Sequence, residues 1–396
     1  MPERVSGPER VSRPTRTHRP APTARPAPAE RPVPTEQPAR TEQLERPIIV
    51  AGCPRSGTTM LQLMLHAHRR LAVGPETRFV LDAYRRRREF GDLRNADHRR
   101  ELAYWIVDRP QSRFEDLGLD RADVVDRVIA APPTLGSALA AVFQAYAARF
   151  GKARWGDKRP AYLQNLDLVL RLFPDAQVVN IVRDGRDCVA SLKEMAWHQQ
   201  DIHATVAAWA RAVDDGRRAA RRLGAERYHE LRYEDLVADP HGKLAELCAF
   251  LGEQYDPAMA NPAAVAGVAV PAHKTWHART RSEVTTQRIQ SWRHRLTAAE
   301  ISLCEAALGD RLISHGSELS QASRPPRRDL LRYRWTAAPH RLAPVKRHLV
   351  RSVDRLLPGP AVAARRQRAG VMVAARRSAD TATGPAGTTP DDILGQ

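Results

Sequence analysis

The residues best suited to chemistry form a glycine-rich loop, Gly52-Cys53-Pro54-Arg55-Ser56-Gly57-Thr58-Thr59. The loop follows an apolar run, precedes a helix-like stretch, and has the G-x-x-x-x-G-x-T frame of a phosphate-binding loop. Its glycines let backbone N–H groups converge on phosphate oxygens, and the helix start adds partial positive charge. Thr58 stands where nucleoside triphosphatases carry lysine, and we find no convincing carboxylate for Mg²⁺. The loop therefore predicts binding of a phosphate-like anion and argues against a conventional ATPase.

A second candidate anion site follows a second apolar run, in Val182-Arg183-Asp184-Gly185-Arg186-Asp187-Cys188-Val189-Ala190-Ser191. Arg183 lies at the carboxyl end of a predicted strand, where open α/β sheets bind ligands. Ser191 lies about two turns into the following helix, which Asp184 or Asp187 could cap. The structural alternative is a surface ion pair for Arg183 and simple packing for Ser191. The presence of the first loop favours the binding interpretation.

At these two places the sequence resembles the donor-binding motifs of sulfotransferases that use 3′-phosphoadenylyl sulfate (PAPS). The similarity is to the branch containing tyrosylprotein sulfotransferases and many bacterial relatives, and it spans roughly residues 48–296. It implies PAPS as sulfuryl donor, 3′,5′-ADP as product, and no metal. It also implies that one loop holds the 5′-phosphosulfate and the other the 3′-phosphate, through Arg55, Ser56, Gly57, Thr58 and Thr59 in the first and Arg183 and Ser191 in the second.

Two short segments resemble the family's catalytic elements. Glu76, in Pro75-Glu76-Thr77-Arg78-Phe79, matches the glutamate that deprotonates the acceptor hydroxyl, and Arg78 would line the acceptor site. A base is needed because the hydroxyl must lose its proton as it attacks sulfur. Lys158, in Trp155-Gly156-Asp157-Lys158-Arg159-Pro160, matches a lysine that stabilises transition-state charge together with Arg55. The alternatives are a helix-start acid for Glu76 and an ordinary surface lysine for Lys158.

The adenine side of the donor is matched less completely. Tyr233, in Leu231-Arg232-Tyr233-Glu234-Asp235-Leu236, resembles the family's adenine-contacting tyrosine, although a core position is equally open for this ring. The segment 287–293 only partly matches the family's last donor loop, because the expected glycine and small residues are missing. We therefore assign no donor contact in residues 275–293. We also expect no metal site at the histidines, which lack a ligand spacing: His198, His203, His273 and His277.

The elements that must position these residues indicate an α/β fold. Apolar runs at residues 46–52, 176–182 and 225–232 predict strands, and each precedes a helical pattern. Buried strands that alternate with helices imply a P-loop-type parallel sheet flanked by helices. The helical interval at about residues 78–150 predicts an insertion over the acceptor side of that sheet.

The chain's formal charge of +18 lies mostly in its ends. Residues 1–46, rich in proline and arginine, carry +3 and predict a disordered arm, whereas the predicted sulfotransferase domain, about residues 47–323, carries only +5. Residues 324–377 predict a basic extension and residues 378–396 a flexible tail. The extension contains an amphipathic helix pattern that could pack on the domain or contact an acidic membrane, with apolar positions at Leu342, Val345, Leu349, Val353 and Leu356.

Composition argues against several other classes of protein. No apolar stretch approaches the roughly 20 residues of a membrane span, and the first residues lack the apolar region of a secretory signal. Four scattered cysteines in 396 residues form no C-x-x-C pair, so we expect a reducing cytoplasm. Because the excess charge lies in the ends, we expect no specific nucleic-acid partner.

Three functions remain open at this stage. The first is a PAPS-dependent sulfotransferase that acts on an acceptor hydroxyl of a peptide tyrosine, a carbohydrate or a small metabolite. The second is a P-loop kinase or ATPase, against which the missing lysine argues. The third is a non-enzymatic protein that binds acidic surfaces through its basic ends.

Overall fold

A five-stranded, wholly parallel sheet forms the centre of the molecule, whose computed structural model describes residues 46–269, 283–340 and 359–364. The strands are β1 (Ile48–Gly52), β2 (Leu71–Val73), β3 (Arg154–Lys158), β4 (Gln177–Val182) and β5 (Tyr228–Arg232). Their order across the sheet is β2-β3-β1-β4-β5. The predicted α/β fold with a parallel sheet flanked by helices is confirmed.

Helices connect the strands and cover the sheet. They are α1 (Thr58–Ala67), α2 (Phe79–Arg85), α3 (Ala96–Asp108), α4 (Arg121–Ala130), α5 (Leu135–Arg149), α6 (Leu166–Leu172), α7 (Gly185–Lys193), α8 (Ile202–Leu223), α9 (Tyr233–Ala238), α10 (Pro240–Leu251), α11 (Ala263–Ala269) and α12 (Ala298–Ser314). Residues 327–340 form a further helix, α13. Short 3₁₀ turns lie at Pro110–Ser112, Phe114–Leu117, Pro160–Asn165, Pro257–Ala260 and Ser291–His294.

The sheet separates two apolar layers. Side chains alternate along a strand, so Ile48 and Val50 of β1 face the layer formed with α1 and α10, whereas Ile49 and Ala51 face the larger layer. The larger layer holds most of α5 and α8, and Phe143 of α5 stacks on Trp155 of β3 at 5.0 Å between ring centroids. Burial on both faces explains why β1 is apolar throughout and why four of the six β4 residues are apolar.

Two of the strands, β2 and β3, were not predicted. β2 has only three residues, and β3 has the sequence Arg-Trp-Gly-Asp-Lys, which no apolar pattern reveals. All five β3 residues are nevertheless buried. Arg154 shows how a charge is accommodated there, because its guanidinium donates hydrogen bonds to four acceptors: the carbonyl oxygens of Arg46 and Leu251 and the side chains of Gln177 and Glu253.

The predicted helical interval is the connection from β2 to β3. It contains α2, α3, α4 and α5, and α5 packs directly against the strand that follows. The two 3₁₀ turns between α3 and α4 approach the carboxyl edge of the sheet, where Arg113 contacts Glu76 at 3.7 Å. The interval therefore contributes a charged side chain beside the predicted base.

The described C-terminal residues pack on the rest of the fold. Tyr333 and Ala337 of α13 are buried in the larger apolar layer. Residues 359–364, which we call the C-terminal strap, bind the start of α5 and the end of α6 through backbone hydrogen bonds. These bonds run from Leu135 N to Ala361 O (2.9 Å), from Gly136 N to Val362 O (2.8 Å) and from Ala364 N to Leu172 O (2.7 Å).

Three predicted features lie outside the described residues: the arm up to residue 45, the amphipathic pattern at residues 342–356 and the tail at residues 378–396. Among the helices within the described ranges, none has the length and apolarity needed to cross a bilayer.

Candidate functional site

The carboxyl ends of all five strands converge on one cavity of about 450 Å³. Each strand end contributes at least one predicted site residue to its lining: Arg55 after β1, Glu76 after β2, Lys158 at the end of β3, Arg183 after β4 and Tyr233 after β5. Ligands of open parallel sheets bind at this edge. The fold thus assembles side chains that are up to 178 positions apart in sequence.

The glycine-rich loop connects β1 to α1, as its sequence predicts. Gly57 has φ 98°, and a β-carbon there would lie 2.7 Å from the ring of Tyr233, so glycine is required on both counts. Arg55 also adopts a left-handed conformation, with φ 71°, which is costly for a non-glycine residue and typical of functional loops. Thr58 and Thr59 line the cavity, whereas the buried Ser56 donates its hydroxyl hydrogen bond to the Cys53 carbonyl at 2.7 Å.

Arg55 and Ser191 connect the two predicted anion-binding segments. The Arg55 Nε donates a hydrogen bond of 3.0 Å to the Ser191 hydroxyl, which lies 136 positions further along the chain. Both side chains line the cavity. The two segments, which their motifs assign to one donor molecule, are therefore in direct contact.

Arg183 is fixed from several directions at the cavity wall. Its guanidinium donates to the Arg55 carbonyl (3.3 Å) and to the Arg288 carbonyl (2.6 Å), and it lies 4.4 Å above the ring of Tyr233. Its Nε is buried and has no hydrogen-bond partner among the described residues. Because an unsatisfied buried guanidinium nitrogen is costly, this position fits an anionic ligand.

Helix α7 begins within the second predicted anion-binding segment. It also holds residues 291 and 292 in place. The Asp184 side chain caps the helix by accepting from Arg186 N at 2.8 Å. Asp187 accepts from the Ser291 hydroxyl and from Trp292 N, each at 2.8 Å, and burial raises the pKa of this carboxyl. These bonds bring the partly matched segment 287–293 to the cavity.

Glu76 and Lys158 form an ion pair at the cavity, with 3.6 Å between Oε2 and Nζ. The Lys158 side chain is only 4% exposed, whereas that of Glu76 is 26% exposed. Lys158 Nζ also lies 3.5 Å from the Thr59 hydroxyl, which places this cation between the glycine-rich loop and the predicted base.

Asp157 supports Lys158 from beneath the cavity. Its carboxylate accepts hydrogen bonds from Lys158 N at 2.8 Å and from the Tyr162 hydroxyl. Complete burial raises the pKa of Asp157 to about 6. The surface-lysine alternative for Lys158 is therefore excluded, since its side chain and its neighbour are both buried.

Arg78 does not line the cavity. Its backbone N donates to Ser112 O at 3.0 Å, and its carbonyl accepts from Arg159 Nη1 at 3.2 Å. Burial, followed by the nearby charges of Arg113 and Arg159, lowers the pKa of Arg78. The structure thus places Arg78 beside Glu76 in a group of arginines rather than at the cavity surface.

Sequence reasoning did not assign several residues to the site, among them Arg113, which contacts Glu76, and the lining residues Trp197, Arg288 and Arg295. Arg295 is paired with Glu194 at 2.6 Å and donates to the Ser291 hydroxyl at 3.0 Å. Arg288 lies in the partly matched segment 287–293. Trp292 in that segment was the sequence signal that could have assigned it to the site. Within the described ranges, no group of three or more histidine, cysteine or acidic side chains has a metal-binding arrangement.

Comparison with known proteins agrees with this architecture. A family model described as "Sulfotransferase family" matches residues 47–257, and the chain belongs to that family. The resemblance stated from the motifs is thereby confirmed.

Curated relatives include protein-tyrosine sulfotransferases of Drosophila melanogaster and Gallus gallus. The first is 27% identical over 54% of this chain and 40% of its own length, and the second is 28% identical over 52% of each. Nodulation protein NoeE of Sinorhizobium fredii is 28% identical over 68% of this chain and 65% of its own length. The chain thus spans about half, or less than half, of the length of the first two relatives.

Among solved structures, the sulfotransferase domain of the Synechococcus PCC 7002 olefin synthase is 22% identical. The similarity covers 68% of this chain and 96% of that domain, with a TM-score of 0.45. Sulfotransferase STF9 of Mycobacterium avium is 18% identical over 70% of this chain and 78% of its own, with a TM-score of 0.37.

Proposed function

We propose that this protein transfers the sulfuryl group of PAPS to an acceptor hydroxyl. The observation that carries the proposal is the convergence, in one cavity, of a glycine-rich loop without the ATPase lysine, two separate arginines and a carboxylate–lysine pair. PAPS presents two separate anionic groups, which two cationic centres on neighbouring strand ends would match.

The donor is proposed to lie along the edge of the sheet. Arg55, Thr58 and Thr59 would hold the 5′-phosphosulfate, while Arg183 and Ser191 would hold the 3′-phosphate. The orphaned Nε of Arg183 supports this orientation, because an anion there would satisfy it. Tyr233 would provide an apolar wall beside the nucleotide.

Glu76 is proposed to act as general base. It would accept the proton of the acceptor hydroxyl while the hydroxyl oxygen forms its bond to sulfur and the bond from sulfur to the departing phosphate oxygen breaks. Lys158 and Arg55 would stabilise the charge that develops on the transferred and leaving oxygens. Lys158 suits this role because its buried side chain is already fixed before reaction.

The acceptor class follows from the relatives by analogy only. Several of them are named protein-tyrosine sulfotransferases, which makes a peptide tyrosine the first acceptor to test, followed by carbohydrate and small-metabolite hydroxyls. A cytoplasmic location stays a prediction, and the four free, buried cysteines are compatible with a reducing compartment.

The proposal is tested by nucleotide calorimetry and by transfer of labelled sulfate from PAPS to tyrosine peptides, sugars and phenols. We expect 3′,5′-ADP to bind more tightly than 5′-AMP, and Arg183→Met to remove about tenfold or more of that preference. Glu76→Gln should keep nucleotide binding and lower kcat by about 10²–10⁴-fold.

Matched controls lie on the surface of the same protein. Arg94→Met and Glu115→Gln change side chains that are 83% and 74% exposed, and both variants should behave as the parent protein. Failure to bind 3′,5′-ADP, combined with Mg-ATP hydrolysis, would instead identify a nucleoside triphosphatase.

A further inference from the structure

Helix α13 presents an apolar face to solvent. Trp335 is 78% exposed and Leu331 is 53% exposed, whereas Tyr333 and Ala337 on the opposite side are buried. Because successive helical residues are rotated by about 100°, Leu331, Trp335 and Ala338 lie along one outward stripe. We call this stripe the Leu331–Trp335 face.

Arginines flank the Leu331–Trp335 face on both sides. By the same helical geometry, Arg327 and Arg334 lie along one edge of the stripe, and Arg328 and Arg332 lie along the other. All four arginines are exposed. The single acid of α13, Asp329, is turned toward α8, where its carboxylate lies 3.8 Å from His203.

Contacts on the inner side and at one edge hold the helix in this orientation. Arg332 pairs with Asp201 at the start of α8 at 2.7 Å, and Arg211 of α8 lies 3.3 Å from the ring nitrogen of His340. Together with the burial of Tyr333 and Ala337, these contacts fix α13 on the domain. The described fold therefore does not use the Leu331–Trp335 face.

We propose that the Leu331–Trp335 face docks the protein onto an anionic phospholipid surface. Tryptophan and leucine suit the boundary between head groups and acyl chains. Arg327, Arg328 and Arg334 can extend their charged ends to lipid phosphates, whereas Arg332 is paired with Asp201. The net charge of +10 over residues 324–396 adds long-range attraction to the same kind of surface.

A protein partner is a poorer fit to this face. Stable protein interfaces bury about 800 Å² on each side around a closely packed apolar centre. Here only two large apolar side chains stand between four arginines. The proposal does not depend on sulfuryl transfer, because none of these residues lines the cavity.

The test is co-sedimentation of the full-length protein with lipid vesicles. We expect binding to vesicles of phosphatidylcholine with phosphatidylglycerol, weak binding to phosphatidylcholine alone, and loss of binding as salt rises. Because the basic ends alone would attract anionic vesicles, the decisive variants remove apolar surface without changing charge. Trp335→Ser and Leu331→Ser should each weaken binding by about tenfold, whereas Trp335→Phe should keep most of it.

Ile313→Ser is the matched control, since Ile313 of α12 is 58% exposed and should leave vesicle binding unchanged. An unchanged urea midpoint in every variant verifies that the fold is retained. Equal binding of parent, Trp335→Ser and Leu331→Ser would overturn the proposal, as would equal binding to neutral vesicles. So would a dimer of the parent that Trp335→Ser dissociates, because a second copy would then be the occupant of the face.

Discussion

Asp157 is a buried acid directly before Lys158 in β3. Its carboxylate is wholly buried under the cavity and accepts from the lysine's own backbone N. Burial raises the pKa of Asp157 to about 6, since the uncharged acid is easier to keep in an apolar interior. The Lys158 backbone is thus held by an acid whose negative charge is costly in its buried position.

Replacing Asp157 by Asn should change how stability depends on pH. The folded protein holds the Asp157 proton more tightly than the unfolded chain, whose pKa is 3.8. This contribution is fully present below about pH 4 and is lost as pH rises through about 6. The free energy of unfolding of the parent relative to Asp157→Asn should therefore fall by about 2 kcal/mol between pH 4 and pH 7.

Urea denaturation of both proteins from pH 4 to pH 7 measures this difference. Other titrating groups cancel, because both proteins contain them. A difference that stays constant with pH, or that grows toward neutral pH, would contradict the elevated pKa.

At the residue scale, the sequence could identify groups that belong to local motifs. Arg55, Lys158 and Arg183 were chosen from motif positions, and all three line the cavity. Arg113 was not found, because it reaches Glu76 across 37 positions from a turn with no motif of its own. Such a contact depends on how the β2–β3 connection folds back, which a local pattern does not encode.

At the element scale, apolar strands were recognisable and polar ones were not. The predicted strands became β1, β4 and β5, but β3 escaped because three of its five residues are charged. Its burial depends on partners distant in sequence, such as Gln177 and Glu253 for Arg154. The strand that carries Lys158 is therefore defined by tertiary contacts rather than by its own propensity.

Gly136, in the first turn of α5, should not tolerate a side chain. A β-carbon there would collide with Leu172 O and lie 2.5 Å from Ala364 N and 2.8 Å from Val362 O. Gly136→Ala should push the C-terminal strap away from α5 and lower the free energy of unfolding by about 2 kcal/mol. Faster hydrogen exchange at the amides of Leu135 and Gly136 would report the loss of their strap partners.

Gly309→Ala provides the matched helical control. A β-carbon at Gly309 of α12 would meet only the Leu319 side chain, at an ordinary 3.7 Å. Because alanine favours helix over glycine, this variant should be as stable as the parent or more stable by about 0.5–1 kcal/mol. If both variants lost stability equally, the collision at the strap would not be the cause.

At the scale of the whole molecule, the basic C-terminal extension is part of the packed structure as well as a source of charge. Tyr333 and Ala337 of α13 enter the larger apolar layer, and the strap supplies carbonyl groups to two backbone N–H groups at the start of α5. Such N–H groups have no partner within their own helix. The sequence predicted a basic extension here, but its predicted helix at residues 342–356 lies outside the described residues. Neither α13 nor the strap was predicted.

Ending the chain at residue 323 should therefore lower the free energy of unfolding by about 3 kcal/mol or more. A chain that ends at residue 364 keeps α13 and the strap and should unfold at the same urea concentration as the full chain. Identical midpoints for all three proteins would indicate that the extension adds nothing to stability.

The arrangement of one cavity residue at each strand end also governs when the site can exist. All pairings in the sheet are parallel, so each joins segments far apart in sequence, and such high contact order slows folding. No fragment that stops before Tyr233 contains all five residues. During synthesis, which proceeds from the N-terminus, the cavity is completed only after more than half the chain has emerged. The five cavity residues of a newly made molecule are therefore brought together only once β5 has joined the sheet.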